Sequence, residues 1–135
     1  MPQDLPTLES ARSSLLHRIA QLKDMRPGSV GAAFRRCGKP NCHCAQPDDP
    51  GHGPQFQFTY KKSGKTHTET LPNLAAVKKV EREVAEFRNF EQLSQELIEL
   101  NQQICQARPP NAVGGPFTPE EKKRLMQSIG RLRAN

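Results

Sequence analysis

Residues 37–44 read Cys37-Gly38-Lys39-Pro40-Asn41-Cys42-His43-Cys44, and residues 51–60 read Gly51-His52-Gly53-Pro54-Gln55-Phe56-Gln57-Phe58-Thr59-Tyr60. The first stretch gathers three of the four cysteines. Gly38 and Pro40 favour a tight turn, whose backbone amides can point at the Cys37 sulfur and stabilise an electron-rich thiolate. Cys42 and Cys44 can reach the same ion if the chain kinks between them. A closed tetrahedral site needs a fourth ligand. His52 is the best placed, because Gly51 and Gly53 let the backbone approach closely. His43 is the rival, but both its neighbours are ligands, which makes its geometry awkward; His67 is more distant. The expected ligands of one zinc ion are therefore Cys37, Cys42, Cys44 and His52. Four protein ligands leave no place for a catalytic water, so the zinc is expected to be structural. Asp48 and Asp49 read as a solvated turn. The bland alternative is a set of unligated cysteines.

The second stretch alternates Phe56, Phe58 and Tyr60 with Gln55, Gln57 and Thr59, the period of a strand. Lys62-Ser63-Gly64-Lys65 supplies a turn and Thr66 to Leu71 a partner strand. The pattern is a β-hairpin whose register is open, since Ser-Gly fits more than one loop type. The zinc is read as a staple fixing the loop against this hairpin. Outside the ligands, Phe34 to Pro54 reads as loop, and residues 28–33 (Gly-Ser-Val-Gly-Ala-Ala) as a flexible joint.

Helices flank this module. Thr7 to Met25 carries Leu8, Leu15, Ile19 and Leu22 at helical spacing, with Thr7 as cap and Arg26-Pro27-Gly28 as stop. Asn73 caps a long helix that Arg108-Pro109-Pro110 ends near Ala107. Its apolar residues, Val77, Val80, Val84, Phe87, Phe90, Leu93, Leu97, Leu100 and Ile104, step by three and four in a coiled-coil-like manner. The irregularity is three successive steps of three from Val84 to Leu93. That stripe exceeds what one short helix covers, so a dimer is expected. Cys105 on this helix is read as a small, partly buried side chain. After a Pro/Gly linker, Thr118-Pro119-Glu120-Glu121 is a strong start for a last, basic helix. The expected fold is α+β: a zinc-stapled loop and hairpin, then a long helix, with N- and C-terminal helices. The segments are 1–27, 28–107 and 108–135.

The chain has 135 residues, 34% hydrophobic and 5% aromatic, with no tryptophan, 12 prolines and 9 glycines. So polar a chain buries little apolar surface and needs a metal or partner. No secretory signal and no apolar run of membrane-spanning length is visible, so a cytoplasmic setting is expected, where thiols stay reduced and clustered cysteines hold metal rather than form disulfides. The net charge of +6 concentrates on residues 31–68 and 108–135, each carrying six basic against two acidic residues.

Arg35-Arg36-Cys37-Gly38-Lys39-Pro40-Asn41-Cys42-His43-Cys44, then Gly51-His52-Gly53-Pro54, an aromatic strand and a long helix, resembles a family of small uncharacterised bacterial and archaeal proteins. The resemblance covers about residues 26–105. It implies a mobile-element setting, because such proteins are often encoded beside transposases or recombinases, and it carries no biochemical activity. Arginine is common in that family where His43 stands, so the resemblance also implies that His43 is not a ligand.

Arg35, Arg36 and Lys39 flank the zinc, and Lys61, Lys62 and Lys65 cluster at the hairpin tip; Lys122, Lys123 and Arg124 make the last helix basic. If the zinc loop packs beside the hairpin tip, the first six form one face for phosphates; separate solvated lysines are the plain alternative. Phe56, Phe58 and Tyr60 can stack on unpaired bases, or more plainly form a core row beneath a helix. No nucleophile–base pair, phosphate loop or open metal site is present, so no enzyme is expected. The leading expectation is a zinc-binding, DNA-binding accessory factor of a mobile element, acting as a dimer. The alternative is an adaptor that docks on a transposase or recombinase through its long helix.

Overall fold

The computed structural model describes residues 3–112 and 114–134. The elements in order are α1 (Leu5–Ala20), β1 (Ser29–Arg35), a 3-10 turn (His43–Ala45), β2 (His52–Lys62), β3 (Lys65–Thr70), α2 (Leu74–Ala107) and α3 (Pro119–Ala134). The fold is α+β, with a three-stranded antiparallel sheet ordered β1-β2-β3.

The hairpin forms where the alternation places it, and its register is now fixed. Lys62 pairs with Lys65, and Tyr60 with His67, around a two-residue loop. Ser63 and Gly64 both have positive φ, 54° and 76°, the type I′ geometry that matches the twist of the flanking strands. Residues 29–33, expected to be a joint, belong instead to strand β1. Val30 pairs with Phe58 and Ala32 with Phe56. This run lacks bulky alternation, so the strand exists because β2 offers it hydrogen-bonding partners and α2 covers the shared face.

α2 spans 34 residues, about 50 Å. The Asn73 side chain accepts a hydrogen bond from the Ala76 backbone N–H at 2.9 Å, so the cap stands where expected. Val80 and Val84 pack with Phe58 and Leu71 to form the main core. Leu93 and Ile104, further along, are buried with Leu8 and Leu15 of α1. The three steps of three between Val84 and Leu93 explain the change of partner. Nine residues at 3.6 per turn are two and a half turns, so Leu93 points away from the side that Val84 presents. The sheet therefore takes one side of the N-terminal half, and α1 takes the other side of the C-terminal half. One chain thus covers much of the stripe with two of its own elements, while Phe90 stays exposed.

α1 lies antiparallel to α2: Arg12 reaches Asn101 at 3.2 Å, and Arg108 meets Glu9. The helix begins at Leu5 rather than after Thr7 and ends at Ala20, short of the expected Met25. The backbone N–H groups of Gln21 and Leu22 close its last turn on Arg18 and Ile19. The chain then crosses α2, with the Lys23 N–H on Glu86 at 3.1 Å and the Arg26 N–H on the Glu83 carbonyl at 3.2 Å. The Arg26 guanidinium pairs with Glu83 at 3.0 Å and stands 4.5 Å over the Phe58 ring. Cys105, expected to be partly buried, is exposed. α3 starts with the expected reciprocal cap: the Glu121 N–H donates to Thr118 Oγ1, and the Thr118 N–H to Glu121 Oε1.

Candidate metal centre

The sheet delivers the histidine to the cysteines. Arg35, the last residue of β1, pairs with His52, the first of β2, across an irregularity after Ala33. Cys37 follows two residues later, so β1 and β2 bring the two ends of the loop together. Close approach there requires glycine. A Cβ on Gly51 falls 2.9 Å from the Arg35 carbonyl oxygen, and one on Gly53 falls 2.8 Å from that of Ala33; both residues have positive φ.

The ligand atoms of Cys37, Cys42, Cys44 and His52 all lie within 4.8 Å of one another, so the expected four converge on one point. The Cys37 and Cys44 sulfurs are 3.5 Å apart, and Cys42 Sγ is 3.1 Å from His52 Nε2. Cys44 is buried, while Cys37 and His52 are exposed. Among the described residues all four cysteines are free thiols.

The turn works on Cys37 as its sequence indicates. The Cys42 N–H closes on the Lys39 carbonyl at 3.2 Å. The Lys39 N–H, followed by the Cys44 thiol, holds the Cys37 thiol below its ordinary value. The Cys37 N–H points at Cys44 Sγ, 3.4 Å away. For Cys42 the Cys44 backbone N–H pulls the thiol down, but lost solvent and the neighbouring thiols of Cys44 and Cys37 outweigh it and leave the thiol raised. Three thiols packed this closely cannot all ionise without a cation, a charge that a metal ion held by the cluster would supply.

His43 stands beside the cluster without joining it. Its Nδ1 bonds Asp49 Oδ2 at 3.0 Å, which raises the imidazole and lowers the carboxylate. Its ring meets the His52 ring edge-on, 4.7 Å between centroids. Asp49, read as part of a solvated turn, is instead a half-buried organiser, since its Oδ1 also accepts from the Gly51 N–H at 2.8 Å. The signal for that role was Asp49-Pro50-Gly51, an aspartate able to bond the backbone two residues on.

Arg36 was the other residue missed as an organiser. Its guanidinium donates to the carbonyls of Cys44, Gln46 (3.1 Å) and Asp49 (2.8 Å), tying the far side of the loop to the end of β1. Those donors serve the loop itself rather than an outside phosphate. Arg35 reaches Gln55 at 3.3 Å, and Lys39 stays exposed.

The remaining basic residues lie elsewhere. Lys61, Lys62 and Lys65 sit at the end of β2 opposite to His52, roughly 30 Å along the strand. The single six-charge face expected from the sequence does not form. Lys122, Lys123 and Arg124 are exposed on α3, and among the described residues they make no ion pair. Phe58 is 1% exposed and belongs to the core, whereas Phe56 on the same face is 43% exposed because α2 does not reach it. No helix among the described residues is long and apolar enough to cross a membrane.

The model of a family described as a domain of unknown function (DUF6788) matches residues 5–82. That span includes α1, which the sequence resemblance left out, and stops within α2. No curated protein and no solved structure matches the chain.

Proposed function

We propose that this chain, which belongs to the DUF6788 family of domains of unknown function, is a zinc-stapled DNA-binding accessory factor of a mobile genetic element. Zinc suits the donor set: three thiolates and one imidazole are a common structural set, with Zn–S near 2.3 Å and ligand atoms roughly 3.5–3.8 Å apart around a tetrahedron. The 3.5 Å sulfur pair has that spacing, the 3.1 Å sulfur–nitrogen pair is tighter, and all four ligand atoms lie within 4.8 Å of one another. The ion holds the loop between β1 and β2 and takes part in no reaction. The mobile-element setting rests on the sequence resemblance alone.

The observation that carries DNA binding is the hairpin tip. Lys62 and Lys65 are directly opposed in the register, with Lys61 beside them, and none of the three has an acidic partner among the described residues. Like charges directly across a ladder cost stability, and a phosphate seated between them offsets that cost. The test is the affinity of the full-length protein for a DNA duplex at several salt concentrations. Replacing Lys61, Lys62 and Lys65 with glutamine is expected to weaken binding similarly for all sequences and to make the salt dependence shallower. Binding that keeps its strength and salt slope in the triple variant sinks this reading.

A second reading is a protein-docking adaptor, favoured by α3. Its apolar side, Leu125, Met126, Ile129 and Leu132, is exposed. If removal of residues 118–135 abolishes capture of the genetic neighbour's recombinase while the lysine variant has no effect, the adaptor reading replaces the first.

A further inference from the structure

The hairpin face that turns towards α2 is apolar at one end and cationic at the other. Register and alternation place Phe58, Tyr60, Lys62, Lys65, His67 and Glu69 on this one face. The three rings form a row: Phe58 and Tyr60 have centroids 5.3 Å apart with planes at 23°, and Tyr60 and His67 are 5.3 Å apart at 19°. Phe58 is buried at the inner end, Tyr60 is half-buried, and His67 is exposed at the outer end. Beside the row is a cavity of about 340 Å³, lined by Arg26, Pro27, Phe58, Tyr60, Lys61, Lys62 and Glu69.

An aromatic wall beside unpaired cations suits a flat ring that carries a phosphate. The Arg26 charge is committed to Glu83 and, more weakly at 3.9 Å, to Glu69, so the lysines are the cations left for an outside anion. A base stacked within a duplex cannot present its ring face to such a wall, whereas a base in a single strand can.

We infer that this face binds an unpaired base of single-stranded nucleic acid, with the base against the Tyr60–His67 row and its flanking phosphates on Lys62 and Lys65. The proposal rests on the nucleic-acid reading given above and adds to it a preference for unpaired strands. That preference suits a factor acting at DNA ends or displaced strands.

The experiment compares labelled single-stranded DNA with a duplex of the same length, by anisotropy with the full-length protein. The variants are His67→Ala, at an exposed position, and Tyr60→Leu, which keeps apolar contact with Phe58 while removing the ring. Tyr60 is the only tyrosine and there is no tryptophan, so intrinsic fluorescence, corrected for nucleotide absorption, reports on this site alone. The expected results are tighter binding of the single strand and quenching of Tyr60 by it. Tyr60→Leu is expected to lower single-strand affinity about tenfold, the scale of one lost stacking contact, and His67→Ala to lower it in the same direction; duplex affinity holds. If single strand and duplex bind alike and both variants leave binding unchanged, the platform is refuted while the lysine tip stands. If neither form binds at low salt, both readings fail. A variant that loses both forms equally and melts lower reports a folding defect; His67→Ala then decides, and no selective loss there overturns the proposal.

Discussion

Removing the metal is expected to detach the loop that joins β1 to β2 without dissolving the core around Phe58. Linkage sets the size of the effect. The cluster of Cys37, Cys42, Cys44 and His52 holds an ion in the folded chain that the unfolded chain releases, so free ion at about 100 times Kd stabilises by about 3 kcal/mol, which chelation removes. For a chain of this length each kcal/mol moves the melting temperature by about 3–5 °C, so chelation is expected to lower it by about 10 °C. His52→Ala is expected to release the ion and reproduce that shift. His43→Ala loses an exposed hydrogen bond to Asp49 and an edge contact with the His52 ring, neither of them a bond to the ion, and is expected to keep the ion. Metal content by mass spectrometry and thermal melts with and without chelator read both quantities. Hydrogen exchange adds the location, with protection lost at 36–52 and kept at Phe58 and Val80. A chelated protein that melts where the loaded one does, or a His43→Ala protein that loses the ion while His52→Ala retains it, refutes the assignment.

Phe58 touches the sheet, α2 and the Arg26 guanidinium, so Phe58→Ala is expected to cost about 3–5 kcal/mol, whereas Phe56→Ala costs well under that because its ring is already half in water; equal losses in denaturant melts contradict this partition. The Glu83 carboxyl is held below its usual value near 4.5 by its hydrogen bond to Lys79 first and by Arg26. Its folded-state value is depressed, so its contribution is present above about pH 4.5 and is lost as pH falls through the lower folded value. Glu83→Gln is therefore expected to lower stability at neutral pH and to flatten the acid limb of the stability profile, and an acid limb identical to that of the wild type contradicts it.

The sequence by itself determined the features that rest on local chemistry. Asn73 and Thr118 mark helix starts because their side chains satisfy the first free backbone N–H groups of helices that follow them directly. The Phe56, Phe58, Tyr60 alternation marks a strand because the pleat has a period of two. The cluster of three cysteines and His52 was legible because thiols that close in sequence, and a histidine between glycines, have few other uses together. The tertiary structure decided whatever depends on partners distant in the chain. β1 is invisible in Ser29-Val30-Gly31-Ala32-Ala33 because its strand character comes from pairing with β2. The stripe on α2 was read as one surface wanting another chain, since spacing records which residues are apolar and not which neighbour covers each. The half-turn offset between Val84 and Leu93 separates two neighbours, the sheet and α1. The lysines at the hairpin tip and the arginines by the cysteines belong to the same basic segment, residues 31–68, yet the extended β2 holds them roughly 30 Å apart. Arg36 and Asp49 read as surface charges, and only the closed loop shows that their polar atoms hold backbone groups in place.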